Sequence, residues 1–283
     1  MMTVEVRFYT DPACPWSWAA EPALRKLMWE FEGELEFVWV MGGLARSYEG
    51  ADHLELISQW LDDAAEGRMP SDPRIWTENP LESSYPACQA VEAAAEQGWE
   101  AGYRYLRRLR EGIMFERRKL DHAEALIAAT GPARIDRERF ELDLRSHAIT
   151  EAFGADLEEV RNPPEDARDA GGIHRDSKGR ERISFPSALF VGEDGGRRGV
   201  WGSDSVEPGK LREAARAAGA GQVNDGALEP QDAVSRFGRC ATRELEVLSE
   251  KPLPVLQAEL WTQARDWKLK PVRALTGMLW EPV

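Results

Sequence analysis

Lysine is scarce in this chain, supplying 7 of 36 basic residues, and histidine (four) and cysteine (three) are scarcer still. The four histidines are scattered without ligand spacing, so no metal site is expected. Cys14, Cys88 and Cys240 are odd in number and far apart, which excludes a disulfide framework and fits a reducing compartment. No apolar run approaches the roughly 20 residues that span a bilayer. Met1-Met2-Thr3 leads straight into an alternating pattern, without the basic and apolar stretches of a secretory signal, so a cytoplasmic location is expected. Positive charge is also short: 36 basic against 50 acidic residues leave a net charge of −14. Such a field disfavours nucleic acid and anionic membranes as partners. Ser-His-Asp order, phosphate loop and dinucleotide fingerprint are all missing.

What remains is an ordinary globular composition, 42% apolar and 30% charged, long enough for one elaborated domain or two small ones. Residues 3–9 alternate and are rich in β-branched and aromatic side chains, which predicts a strand. Asp11-Pro12-Ala13 is turn chemistry, and the apolar spacing from Cys14 to about Phe31 predicts a helix with a kink at Pro22. Leu35 to Met41, closed by Gly42-Gly43, predicts a second strand and hence a β-α-β unit with parallel strands. Residues 52–160 read as almost wholly helical, and 163–182 as a charged, Gly-rich loop. Phe185–Val191 and Arg198–Trp201 read as a hairpin about Glu193-Asp194-Gly195-Gly196, followed by a helix from about Val206 to Ala218. Residues 219–229 read as a linker. Beyond it, two helix signals and two short apolar segments split by Thr276-Gly277 outline a winged helix.

The strongest chemical signal is Asp11-Pro12-Ala13-Cys14-Pro15-Trp16-Ser17-Trp18, between the first strand and the first helix. A thiol at a helix N-terminus faces unpaired N–H groups and the positive end of the helix dipole, so Cys14 is expected to be reactive with a lowered pKa. Pro15 suits the first helical turn, and the hydroxyl of Ser17 can reach the same side. Phe185-Pro186 opens a strand some 170 residues later, where a proline is tolerated and a cis bond would put backbone beside Cys14. Trp16 and Trp18 are candidates for a substrate groove, with aromatic packing as the competing reading. Arg175, Lys178, Arg180 and Arg182 precede the proline strand and are candidates to overhang Cys14, where they would stabilise a thiolate or an anionic substrate, with a solvated loop as the competing reading. Cys88, on an Ala-rich helix face, and Cys240 read as packing, with the resolution of a mixed disulfide as the alternative role for either.

Together, the Cys-Pro-Trp-x-Trp turn, the large helical insert and the late Phe-Pro-Ser strand resemble the DsbA-like thioredoxin-fold superfamily, most nearly its cytoplasmic FrnE-type and adaptor-like YjbH-type branches. The likeness covers roughly residues 3–218. Glu82-Ser83-Ser84 through Glu96-Gln97-Gly98 resembles the opening helix of that family's insert. The resemblance implies an α/β thioredoxin-like fold with a central mixed sheet, Cys14 as nucleophile and Pro186 as cis-proline. The expected layout is then residues 1–46 and 166–220 as the two halves of the thioredoxin-like domain and 47–165 as a helical insertion, with 225–283, beyond the likeness, as a C-terminal extension. Ser17 stands where the family keeps a resolving cysteine. Kappa-class glutathione transferases and 2-hydroxychromene-2-carboxylate isomerases are similar too, with Ser-Pro-x-Ser at this turn, and Asn79-Pro80-Leu81 resembles their sequence ahead of the insert helix.

Three functions follow as expectations. The first is a cytoplasmic thiol-disulfide oxidoreductase acting through a single thiol on a protein disulfide or glutathione, with Cys14, Ser17 and Pro186 catalytic and Trp16, Trp18, Phe185 and Arg182 at the substrate. The second is a glutathione-dependent transferase or isomerase. The third is a non-catalytic adaptor. No resident cofactor is expected, glutathione being the candidate co-substrate. Residues 230–283 carry eight basic and seven acidic side chains, too few net cations for a DNA reader, so this extension is expected to pack or to bind a protein partner.

Overall fold

The structure is a computed structural model that describes residues 3–176 and 178–283. Strand β1 (Val4–Thr10) alternates its side chains between two faces, as a pleated strand must. Val4, Val6 and Phe8 enter the main core, while Tyr9 joins a smaller apolar cluster that contains Cys14. The helix expected from Cys14 to Phe31 is two helices, α1 (Pro15–Ala19) and α2 (Glu21–Glu30), with Pro22 at the start of the second. A proline in the first turn loses no helical bond, so Pro22 restarts the helix instead of kinking it. Strand β2 (Leu35–Met41) then pairs with β1 in parallel along its full length, Val4 opposite Leu35 and Thr10 opposite Met41.

The helical stretch comprises α3 (His53–Gly67), α4 (Ile75–Glu78), α5 (Tyr85–Ala95), α6 (Trp99–Arg110), α7 (Ala123–Ala128), α8 (Thr130–Ala133), α9 (Arg137–Leu144) and α10 (His147–Arg161). A π-helical turn, Glu111–Phe115, prolongs α6. Asp52, Asp136 and Ser146 cap α3, α9 and α10 with side-chain oxygens, which explains where those helices begin. The charged stretch expected to be a loop instead holds α11 (Glu165–Asp169) and a hairpin of β3 (Ile173–Arg175) and β4 (Glu181–Ile183). Its strands are too short to show a period. They are held by the Ile173–Ile183 cross-strand pair and by Arg175, whose guanidinium meets Glu181 at 2.7 Å.

Strand β5 (Ser187–Val191) starts two residues later than the sequence pattern suggests, because Pro186 has no N–H to give a ladder. It runs antiparallel to β1 and to β6 (Arg197–Val200), completing a mixed sheet of order β2-β1-β5-β6. Helix α12 (Pro208–Ala217) follows a 3-10 turn at Gly202–Val206.

Residues 219–229 are not a free linker. The N–H groups of Val223 and Asn224 donate to the Glu30 carbonyl, and Asn224 Nδ2 donates to the Trp29 carbonyl, so this stretch is tied to the end of α2. Then come α13 (Pro230–Phe237), β7 (Cys240–Ala241), α14 (Thr242–Ser249), α15 (Leu253–Arg265), β8 (Leu269–Arg273) and β9 (Met278–Pro282). The segment has its own core, around Leu245, Leu256, Leu260 and Trp280. A buried ion network joins it to the body. Arg107 donates to Glu244 at 2.7 and 3.1 Å and to Glu21 at 3.2 Å, Arg25 meets Glu244 at 3.2 Å, and Arg110 pairs with Glu21. No helix among the described residues is long and apolar enough to cross a membrane.

Candidate active site around Cys14

The end of β1 delivers the chain into a tight turn organised by Asp11. Its Oδ1 accepts the Ala13 N–H at 2.8 Å, and its carbonyl accepts the Cys14 N–H at 3.2 Å. Cys14 is the N-cap of α1, with extended backbone (φ −85°, ψ 116°). Its Sγ accepts the Ser17 N–H at 3.4 Å, the role that a Ser or Asp oxygen usually fills at a cap. The Ser17 hydroxyl is wholly buried and finds no partner of hydrogen-bond geometry among the described residues, yet it favours the Cys14 thiolate.

From the other side comes Phe185-Pro186, joined by a cis peptide bond, with the Phe185 carbonyl 3.9 Å from Cys14 Sγ. The Pro186 carbonyl is fixed by the Ser205 hydroxyl at 2.7 Å, and Ser187 Oγ donates to the Ser184 carbonyl at 2.7 Å. The Phe185 ring lies against Gly42, where a Cβ would fall 1.8 Å from a ring carbon, so only glycine admits the ring there. The Arg182 guanidinium covers that ring at 4.2 Å and donates to the Ile183 carbonyl at 2.8 Å. It has no carboxylate partner among the described residues and exerts its charge on Cys14.

The thiol is 95% buried, and this overturns the expected lowered pKa. Burial pushes Cys14 up; the Ser17 hydroxyl and N–H pull it down, Asp11 adds a further upward push, and Arg182 pulls down. A cap on a five-residue helix does not offset that loss of solvent. Cys240 is pushed further, to about 12, by complete burial, and Cys88 well above its ordinary value by burial and by Asp11.

Of the expected site residues, Cys14, Ser17, Phe185, Pro186 and Arg182 come together. Trp16 is half-buried at the edge of the same cluster. Trp18 does not line a groove: it is 2% exposed, its Nε1 donates to the Pro70 carbonyl at 2.9 Å, and Arg107 lies 4.4 Å over its ring. Sequence reasoning passed over Asp11. Its Oδ2 accepts from Leu44 N (2.6 Å), Ser84 Oγ (2.8 Å) and Cys88 Sγ (3.2 Å), so one buried carboxylate ties the turn to the loop after β2 and to the start of α5. An acid three residues before the cysteine was the available signal. Among the described residues no group of metal-ligating side chains forms.

Residues 8–162 match a family model described as thioredoxin. Among curated proteins, the ClpXP adapter protein SpxH of Halalkalibacterium halodurans is 32% identical over 166 residues, covering 56% of this chain and 54% of its own length. SpxH of Bacillus subtilis is 28% identical, covering 54% and 52%. The chain thus spans about half the length of the curated relatives it matches. Among solved structures, the cytosolic disulfide reductase DsbM of Pseudomonas aeruginosa superposes with a TM-score of 0.56 at 17% identity, covering 75% of this chain and 97% of its own. The same protein solved with GSH gives a TM-score of 0.53 at 18% identity, covering 75% and 98%. At these identities the structural likeness establishes the fold.

Proposed function

The chain belongs to the thioredoxin family, and from that premise we propose that it exchanges thiols and disulfides through one sulfur, that of Cys14. The observation that carries the reading is the meeting of Cys14 Sγ with the Ser17 N–H at 3.4 Å and the Phe185 carbonyl at 3.9 Å, beside a cation without a carboxylate partner among the described residues. In the reaction, Cys14 loses its proton to solvent and the thiolate attacks a disulfide R–S–S–R′. A bond forms between Cys14 Sγ and the R-bearing sulfur as the sulfur–sulfur bond of R–S–S–R′ breaks, and R′S⁻ leaves with the electron pair. Ser17 N–H supports the thiolate, and an external thiolate later attacks the R-bearing sulfur of the mixed disulfide, forming a new disulfide with it as the bond to Cys14 Sγ breaks and Cys14 leaves as thiolate. Ser17 has no sulfur with which to perform that step itself.

Glutathione is the favoured small partner. Arg182 suits one of its carboxylates, and the fold is shared with a reductase solved with GSH. A cytoplasmic setting agrees with three free cysteines. The second reading, a ClpXP-type adaptor, is favoured by the SpxH relatives and by a buried thiol of raised pKa. Intact-mass analysis after incubation with oxidised glutathione separates the two. A single glutathione adduct, mapped to Cys14 and formed faster as pH rises, is expected; a folded protein that takes no adduct at any pH sinks the exchange reading.

A further inference from the structure

The C-terminal segment reaches one side chain of the Cys14 turn, Trp18, through two intermediaries, Pro70-Ser71 and Arg107. In the turn between β8 and β9, the Thr276 N–H donates to the Ser71 carbonyl at 3.1 Å, and the Ser71 N–H donates to Thr276 Oγ1 at 2.7 Å. The Thr276 hydroxyl also donates to the Ser71 carbonyl at 3.1 Å. Next to it, Gly277 passes so near Pro70 that a Cβ would lie 3.2 Å from the proline's own Cβ. The Pro70 carbonyl is the acceptor for Trp18 Nε1. The face of the same indole lies under Arg107, which is held by Glu244 of α14. Trp18 is one helical turn from the thiol, its N–H bonded to the Cys14 carbonyl at 3.1 Å.

Two routes from the C-terminal segment therefore end on Trp18, one at its N–H and one at its ring. An appendage that merely buried apolar surface would need neither. We propose that the C-terminal segment is a positioning element for the reactive turn: by holding Trp18 it holds α1, and by holding α1 it keeps Cys14 covered. Thr276 is the positioning residue at the far end of that chain of contacts. The inference rests on Cys14 being the reacting thiol, as argued above.

The test measures alkylation of each cysteine in the folded full chain by peptide mapping. Loss of the two hydrogen bonds made by the Thr276 hydroxyl raises the population of an opened turn by at least about three- to tenfold. Thr276→Ala is expected to speed labelling of Cys14 by that factor while Cys88 and Cys240 stay unlabelled, and Thr276→Ser to restore the wild-type rate. Trp18→Phe, which removes the donor at the near end, gives the same selective acceleration and carries the test if Thr276→Ala does not fold. Wild-type Cys14 rates in these variants overturn the proposal, as does acceleration shared by all three cysteines, which reports global opening. Absence of a glutathione adduct on wild-type Cys14 sinks the exchange reading on its own, without touching this comparison.

Discussion

The Cys88 thiol donates to Asp11 Oδ2 at 3.2 Å, so a cysteine of α5 is bonded to the residue that shapes the Cys14 turn. Asp11 is fully buried, and burial pushes its carboxyl up while the N–H groups of Leu44 and Ala13, then Ser84 and Cys88, pull it down. Removing one donor from a buried carboxylate costs about 1–3 kcal/mol. Cys88→Ala should therefore lower the melting temperature by several degrees, whereas Cys88→Ser, which keeps a donor, should lose less. Equal melting of the wild type and both variants would show that the thiol is mere filling.

Arg182 acts on Cys14 by charge. Because its guanidinium lowers the thiol's pKa, Arg182→Gln should move the midpoint of Cys14 alkylation to higher pH. The sign follows from the loss of a cation that favours the thiolate. The glutathione adduct should form about tenfold more slowly at neutral pH, the value of one lost charge-assisted contact. An unmoved midpoint would place Arg182 outside the electrostatics of the thiol.

Glu21 anchors the ion network that joins α2, α6 and α14. Burial opposes its ionisation, but Arg107, Arg110 and Arg25 outweigh it and hold the carboxyl at about 2, below an ordinary 4.5. A lowered carboxylate contributes stability that is present above its unfolded pKa and lost as pH falls through its folded one, here between about 4.5 and 2. The contribution is about 3 kcal/mol at neutral pH. Denaturant titrations should show wild-type stability falling across that window, with Glu21→Gln less stable at neutral pH and flatter through the acid range. Parallel acid profiles for the two proteins would refute the assignment.

The parts of this molecule legible in its sequence were those with a local signature. Strands β1 and β2 announce themselves by alternation, and Cys14-Pro15 at a strand-to-helix turn by its chemistry. Long-range contacts have no such signature. Nothing near Trp18 marks it as the seat of Pro70 and Arg107 rather than a groove wall, and nothing near Asp11 marks a bond to a thiol 77 residues away. The raised pKa of Cys14 was hidden for the same reason, since its cause is burial by segments remote in sequence. The C-terminal extension looked nearly neutral by count, yet its Glu244 is spent inside an ion network that a charge total cannot reveal.

Ser17 is where the chain departs furthest from a dithiol exchanger. A second cysteine in the same turn would attack a mixed disulfide intramolecularly, with the rate advantage that proximity gives. Ser17 places its N–H on Cys14 Sγ, so the turn already has the geometry of that encounter without the second sulfur. The wild type should therefore reduce insulin slowly with dithiothreitol and should accumulate a mixed disulfide at Cys14 with oxidised glutathione. Ser17→Cys should raise the insulin rate at least about tenfold, a small part of the advantage open to an aligned intramolecular step. The mixed disulfide should then vanish in favour of an internal disulfide between Cys14 and the introduced thiol, seen as the loss of two hydrogens by intact mass. Fast turnover by the wild type would mean that another group resolves the intermediate. A Ser17→Cys protein that stays inactive, with Cys14 still unmodified, would leave the adaptor reading as the one the chain supports.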